Sequence, residues 1–327
     1  MGYDKPFKTY DEQIKILKDK YHLLIENEDL AKQLLSTFSY YDLVNGYKDI
    51  LMENEHYIPG TSIEYVHIFH MINKDFQSIL FKYSVYIENA YKNSLAYLLS
   101  KNFGVHQDEY LNFSNFINPK NKKDRMSKEK TLSKIKKTID NTHTGNPTKF
   151  YRKKHNHIPP WIIFKNVSFG DSIDLYRQLK SKDKKELLGM LINYGDYPIS
   201  TSNIPMLEAL TIVRKFRNVI AHNLKFITFE STQTLESDKL PQVMKETLLY
   251  PEKNVTGAYS MLCSIILLIN SAHLFCELIF DLTAVCKKYQ PNFPDVFNMY
   301  LKNIAFPVNF IDRMKKFSKM HYNIKLK

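Results

Sequence analysis

The chain has 327 residues and a formal net charge of +12, long enough for one large or two small domains and a sizeable core. With only 9 Gly, and with Lys, Leu, Ile and Tyr abundant, the composition favours helices over sheets or disorder. The cysteines Cys263, Cys276 and Cys286 are odd in number and lack CxxC spacing, which excludes a disulfide framework and points to a reducing, cytoplasmic setting.

Met1 to Lys5 lacks the basic-then-apolar pattern of a signal peptide. Residues 1–60 read as an N-terminal helical region. Asp11 is the expected cap of a helix running to Lys20, with Ile14, Leu17 and Tyr21 on one face. A second helix is expected from Asp29 to Phe38. Tyr40, Leu43, Val44 and Tyr47 then fall at i, i+3, i+4 and i+7, a packing pattern.

Residues 61–117 hold the longest periodic stretch, Ser62 to Ser100, with Phe69, Ile72, Phe76, Leu80, Tyr83, Ile87, Tyr91 and Leu95 along one stripe. Glu88 lies one turn before Lys92, an i,i+4 pair worth a few tenths of a kcal/mol on a surface. Phe103-Gly104 gives the glycine stop signal.

Residues 118–158 carry thirteen basic side chains against the acids Asp124, Glu129 and Asp140. Lys120, Lys122, Lys123, Arg125, Lys134, Lys136, Lys137, Arg152, Lys153 and Lys154 are the candidate RNA contacts, interleaved with Phe150, Tyr151, His155 and His157. Such density attracts polyanions and releases counterions on binding. This segment reads as a basic arm or insertion with a central helix over 128–139, closed by the stiff Ile158-Pro159-Pro160-Trp161.

Residues 159–290 continue with a helix capped by Asp171 or Ser172, another from Lys182 to Tyr194, and a third that starts at Pro205. After an irregular stretch from Glu230 to Pro251, one apolar helix is expected over 258–288. Met261 to Leu282 is long enough to cross a membrane, yet it includes Asn270 and a polar stripe of His273, Glu277 and Asp281. Charges in mid-membrane are costly, so a buried amphipathic helix and no membrane span is the reading. Residues 291–327 read as a basic tail punctuated by Pro291, Pro294 and Pro307. The fold class is therefore all-α. No acid or His/Cys cluster has metal-ligand spacing, so no metal and no cofactor is called for.

The chemistry concentrates in Arg217-Asn218-Val219-Ile220-Ala221-His222, followed by Asn223. On a helix Asn218 and His222 lie about 40° apart, and Arg214, Asn218 and His222 form one polar stripe. Arg217 lies about 140° from His222 and reaches it only by curling its side chain. Histidine gives and takes protons near neutrality. Arginine clamps phosphate and stays charged. RNA brings its own nucleophile, the 2′-hydroxyl. The group set therefore suffices for metal-free cleavage to a 2′,3′-cyclic phosphate and a 5′-hydroxyl. Arg152 and His157 share the spacing but are followed by Lys153 rather than an amide, which suits RNA contact.

Arg-Asn-x-x-Ala-His resembles the signature of HEPN domains, helical bundles that include many ribonucleases. Lys5-Pro6-Phe7, Ser39-Tyr40-Tyr41 through Gly46-Tyr47, and Ile158-Pro159-Pro160-Trp161 through Ser168-Phe169-Gly170 are similar to recurring segments of the Abi-like (AbiD/AbiF) abortive-infection family. The resemblance covers most of residues 5–290. It implies a HEPN-type helical bundle with an N-terminal helical extension and a basic insertion. It also implies an endoribonuclease toxin of phage defence, controlled by a small noncoding RNA. Arg217 and His222 match the catalytic pair and Asn218 the accompanying amide, with Arg214 and Asn223 as accessory residues. Glu88 falls where relatives carry an acid followed four residues later by Arg; here that place is Lys92. HEPN sites join two motifs, and this chain has one, which implies a homodimer. Two other readings stay open: an RNA-binding module that sequesters a structured RNA without cutting it, and a helical interaction protein whose motif is an ordinary helix end.

Overall fold

The computed structural model describes residues 5–141, 143, 145–192, 204–251 and 254–326. Helices α1 (Tyr10–Asp19), α2 (Glu28–Phe38) and α3 (Lys48–Leu51) precede a two-residue ladder of β1 (Met52–Glu53) with β2 (His56–Tyr57). Helix α4 (Ile63–Phe103) is 41 residues long. Then come α5 (Gln107–Tyr110), α6 (Lys122–Asp140), α7 (Thr148–Lys154), α8 (Pro160–Ile163), α9 (Phe169–Gln178), α10 (Ser181–Leu191) and α11 (Met206–Ala221). A second short ladder joins β3 (Leu235–Glu236) to β4 (Asn254–Val255) around α12 (Gln242–Met244). Helices α13 (Gly257–Leu268), α14 (Ala272–Tyr289), α15 (Pro294–Asn303) and α16 (Phe310–Tyr322) finish the chain. The fold is all-α, as the composition and periodicity require. Among the described residues no helix is long and apolar enough to cross a membrane.

Two compact units form, one from residues up to Ser78 with Asp281–Val308, the other from Ile79–Phe280 with Asn309 onward. In the first unit the cap of α1 lies two residues before the expected one. Thr9, not Asp11, is the N-cap: its hydroxyl accepts from the Glu12 N–H at 3.3 Å while the Glu12 carboxylate accepts from the Thr9 N–H at 2.8 Å. This reciprocal box satisfies two orphan donors, which Asp11 alone does not do. Leu43, Val44 and Tyr47 are buried as their spacing requires, although the chain there makes a wider π turn, Tyr41–Asn45. The Tyr47 hydroxyl sits 2.9 Å from His70 Nδ1 and accepts from Asn73 Nδ2 at 2.9 Å; Tyr300 in turn donates to Asn73 Oδ1 at 3.3 Å. Burial pushes the His70 imidazole down to about 4.

In the second unit α11 packs on α13 and on α9. The single apolar helix expected over 258–288 is two. Residues 258–268 of α13 are buried on every side, and the chain breaks before Ser271, whose hydroxyl accepts from the Leu274 N–H at 3.4 Å. The polar stripe His273, Glu277 and Asp281 belongs to α14 alone. The stretch from Glu230 to Pro251 also holds more order than expected, with β3, α12 and a π turn, Lys245–Leu249, against which α16 packs.

Two basic segments are more folded than their composition suggests. The expected tail over 291–327 holds two helices, α15 and α16. Val296, Phe297, Tyr300 and Leu301 of α15 and Phe310, Met314 and Phe317 of α16 recur at helical spacing and are buried. The expected arm is a helix that starts six residues before Lys128 and packs on α9, with Leu132, Ile135 and Ile139 buried. The cap of α9 is Ser168, which accepts from the Asp171 N–H at 3.0 Å, rather than Asp171 or Ser172. Tyr194, the expected end of α10, lies outside the described residues, and the helix itself closes at Leu191.

Candidate active site

Helix α11 is anchored by Ala209, Leu210, Ile212, Val213 and Phe216, all buried. That face fixes the rotation of the helix and so decides where its polar residues point. Its C-terminus is a Schellman motif. The Leu224 N–H bonds the Val219 carbonyl at 2.9 Å, and the Asn223 N–H bonds the Ile220 carbonyl at 3.0 Å. Asn223 takes the left-handed conformation this turn demands, with φ 51°. His222 is the C-cap residue and is exposed.

Arg217 turns away from that end. Its Nη1 donates to Asn218 Oδ1 at 3.2 Å, and its Nη2 lies 3.4 Å from Glu88 Oε2 on α4. Its guanidinium carbon lies 5.9 Å from the centre of the Phe81 ring. The other Glu88 oxygen accepts from Lys92 Nζ at 2.6 Å. Both the Glu88 and Lys92 side chains are only 12% exposed, so the surface i,i+4 reading of this pair is too weak. Glu88 is shared between two cations at a depth where water screens poorly. Arg217 Nε is buried and has no hydrogen-bond partner among the described residues.

A cleft of about 200 Å³ opens at this cluster. Its walls are Val85, Glu88, Asn89, Lys92 and Asn93 of α4, Trp161 of α8, Phe164 and Lys165 just beyond, and Arg217. His222 is not among them. Within one chain the phosphate-clamp candidate faces the cleft and the acid–base candidate stands at the exposed helix end. Arg214, expected on a stripe with Asn218 and His222, reaches instead toward the α9 start: a Cβ at Gly170 would lie 3.5 Å from its Nη1. It acts there on Asp171. Burial opposes the Asp171 charge, but bonds from Lys134 and Ser168 and the charges of Lys134 and Arg214 hold that carboxyl below its ordinary range.

The basic candidates divide into two groups. Lys134 pairs with Asp171 at 2.7 Å, Arg125 pairs with Glu129 at 2.9 Å, and Arg152 Nε donates to the Ile139 carbonyl at 2.8 Å. Those three hold the protein to itself. Lys120, Lys122, Lys123, Lys136, Lys137, Lys153 and Lys154 are exposed. Trp161, Lys165, Asn89 and Asn93 are the cleft residues that the reading of motifs missed. The signal for the two asparagines was present: Glu88, Asn89, Lys92 and Asn93 fall at i, i+1, i+4 and i+5, so they share one polar face of α4. Among the described residues no group of three His, Cys, Asp or Glu side chains is placed to hold a metal ion.

The fold and cleft define a helical protein with a cationic pocket lined from α4, α8 and α11. The family model described as Abi-like protein matches residues 33–228. The chain belongs to the Abi-like protein family, and the matched span holds Ser39-Tyr40-Tyr41, Ile158 to Trp161, Glu88 and the whole 217–222 motif. Membership supports a role in abortive infection. No curated protein and no solved structure matches this chain.

Proposed function

We propose that the chain is a HEPN-type endoribonuclease that acts as an abortive-infection toxin. The observation that carries this reading is the Glu88–Arg217–Asn218 cluster, a guanidinium held in place five residues before an exposed histidine at the end of the same helix. Held this way, Arg217 meets a phosphate with little reorganisation, which is where electrostatic catalysis gains most. The 2′-oxygen attacks the adjacent phosphorus, one imidazole takes its proton, and the 5′-oxygen leaves with a proton from a second acid. The chain supplies one motif histidine. A homodimer supplies the second, and the exposed run of Ala221, His222, Asn223 and Leu224 at the end of α11 is open to another copy. The exposed lysines on α6 and α7 suit the substrate or a small noncoding RNA that restrains the enzyme. The chemistry itself requires no metal.

The test is cleavage of a labelled RNA by the wild type and by His222→Ala, with and without EDTA. Wild-type cutting that persists in EDTA, yields 2′,3′-cyclic phosphate ends and disappears in the variant is the expected result. Cutting by His222→Ala, or strict Mg²⁺ dependence, contradicts the reading. The second reading, RNA binding without cleavage, draws on one observation: His222 does not line the cleft that holds Arg217. It expects tight, salt-sensitive RNA binding by wild type and His222→Ala alike, with no product from either.

A further inference from the structure

We propose that the cleft beside Arg217 is a subsite for one unpaired RNA base and its flanking phosphate, with Trp161 as the stacking platform. The inference rests on the reading that the chain acts on RNA, and it adds which nucleotide feature the site grips.

Trp161 is the single tryptophan of the chain and is 47% exposed. It does not owe its position to mobility. Pro159 and Pro160 before it and Ile163 and Phe164 after it are buried. The Tyr110 hydroxyl donates to the Ile158 carbonyl at 2.8 Å, and the Ile158 N–H donates to Gln107 Oε1 at 3.1 Å. The backbone that carries this large ring is thus fixed at the mouth of the pocket, and a partner that stacks on the ring orders little more of the chain.

The rest of the pocket suits a base on a phosphate chain better than an apolar side chain. Lys92, Lys165 and Arg217 face one carboxylate, Glu88, which leaves an excess of two positive charges. The amides of Asn89 and Asn93 offer both donors and acceptors to a base edge. At about 200 Å³ the cleft is smaller than the roughly 300–1,000 Å³ of pockets for drug-sized ligands. One planar ring fits that scale; a larger cofactor does not. Aromatic platforms flanked by cations are the general device for single strands, because every base has a π face.

The experiment uses the full-length His222→Ala chain, so that the probe survives, and exploits the lone tryptophan as its own reporter. A mixed-sequence octaribonucleotide and an abasic octamer of equal charge are titrated separately. The expected result is quenching of Trp161 fluorescence by the base-bearing probe alone, with the abasic probe about tenfold weaker. Read by anisotropy of a labelled probe, Trp161→Ala loses about the same factor and Trp161→Phe retains most of the affinity. Equal affinity for the two probes without a change in fluorescence overturns the subsite. So does unchanged RNA binding by Trp161→Ala, or quenching that only a protein partner produces. The two readings fail separately. Residual cleavage by His222→Ala removes the proposed nuclease centre. RNA cleavage that depends on His222 but keeps its KM in Trp161→Ala removes only the base site.

Discussion

The Glu88 carboxylate on α4 holds Arg217 of α11 at 3.4 Å and Lys92 at 2.6 Å, so one acid positions two cations that lie 125 residues apart in the chain. Removing it has two separable consequences. Glu88→Gln keeps the shape and drops the charge that orients Arg217, so cleavage falls while RNA binding holds or tightens, because a negative charge has left a cationic cleft. Glu88→Ala also strands two partly buried cations. The stability loss expected in urea titration is about 2 kcal/mol, below the roughly 3–5 kcal/mol of a fully buried pair, because Arg217 stays 32% exposed. Binding and cleavage that fall together in Glu88→Gln would show that the acid serves the fold and not the guanidinium.

Asn223 is the conformational hinge of the motif. Its left-handed backbone, φ 51°, closes the Schellman turn that presents His222. Glycine adopts that conformation freely and a β-branched residue does not. Asn223→Gly therefore keeps both stability and cleavage. Asn223→Val loses roughly 1–2 kcal/mol and displaces the imidazole with it. Thermal melts and cleavage rates of the two variants decide the matter: loss of activity in Asn223→Gly with an unchanged melt would give the amide a chemical role instead.

Local rules made part of this molecule legible. The stop at Gly104, with φ 103°, and the buried stripe Phe69, Ile72, Phe76, Leu80, Tyr83, Ile87, Tyr91 and Leu95 follow from spacing and backbone freedom alone. So does the placement of Arg217 to His222 at the end of a helix. What spacing did not reveal depends on which helix meets which. Arg217 and Glu88 are joined only by tertiary packing, and Arg214 is drawn to Asp171 although helical geometry aligns it with Asn218. Composition misled where a run of charge was read as an arm or a tail. Helices α6 and α16 are Lys-rich on one face and apolar on the other, and the apolar face won: burying Ile135, Leu132 or Phe317 removes enough surface from water to order a helix despite its charge. The break before Ser271 has neither Pro nor Gly to announce it.

His70 makes stability depend on pH. Its imidazole, buried beside Tyr47, has its pKa pushed down to about 4 from an ordinary value near 6.5. A lowered histidine pKa means that the unfolded chain binds the proton more readily. The contribution is fully present above about pH 6.5 and is lost as pH falls toward 4, up to about 3 kcal/mol. Burial lowers His67 in the same direction. Urea titrations at pH 7.5, 6 and 4.5 should show a steady decline, flattened in His70→Phe once the cost of the lost Tyr47 contact is subtracted at pH 7.5. Equal slopes in the two proteins would mean that other groups carry the acid sensitivity.

The basic helix α6 offers a way to separate charge that binds from charge that holds. Lys134 and Arg152 are committed internally, to Asp171 at 2.7 Å and to the Ile139 carbonyl at 2.8 Å, whereas Lys122, Lys123, Lys136 and Lys137 are exposed. Counterion release assigns each phosphate contact a share of the salt dependence, about 0.7 in the slope of log K against log salt for single strands. Neutralising Lys122 and Lys123, or Lys136 and Lys137, should lower that slope by about 1.4 per pair of contacts and leave the melting temperature unchanged. Arg152→Ala should do the reverse, lowering stability by about 1 kcal/mol through the lost bond to a backbone acceptor while the salt slope barely moves. If the exposed lysines alter neither slope nor affinity, α6 is a structural helix whose charge serves solubility, and RNA reaches the Arg217 cleft by another face. If Arg152→Ala changes the slope as much as they do, its guanidinium contacts phosphate in the complex and its bond to Ile139 is given up on binding.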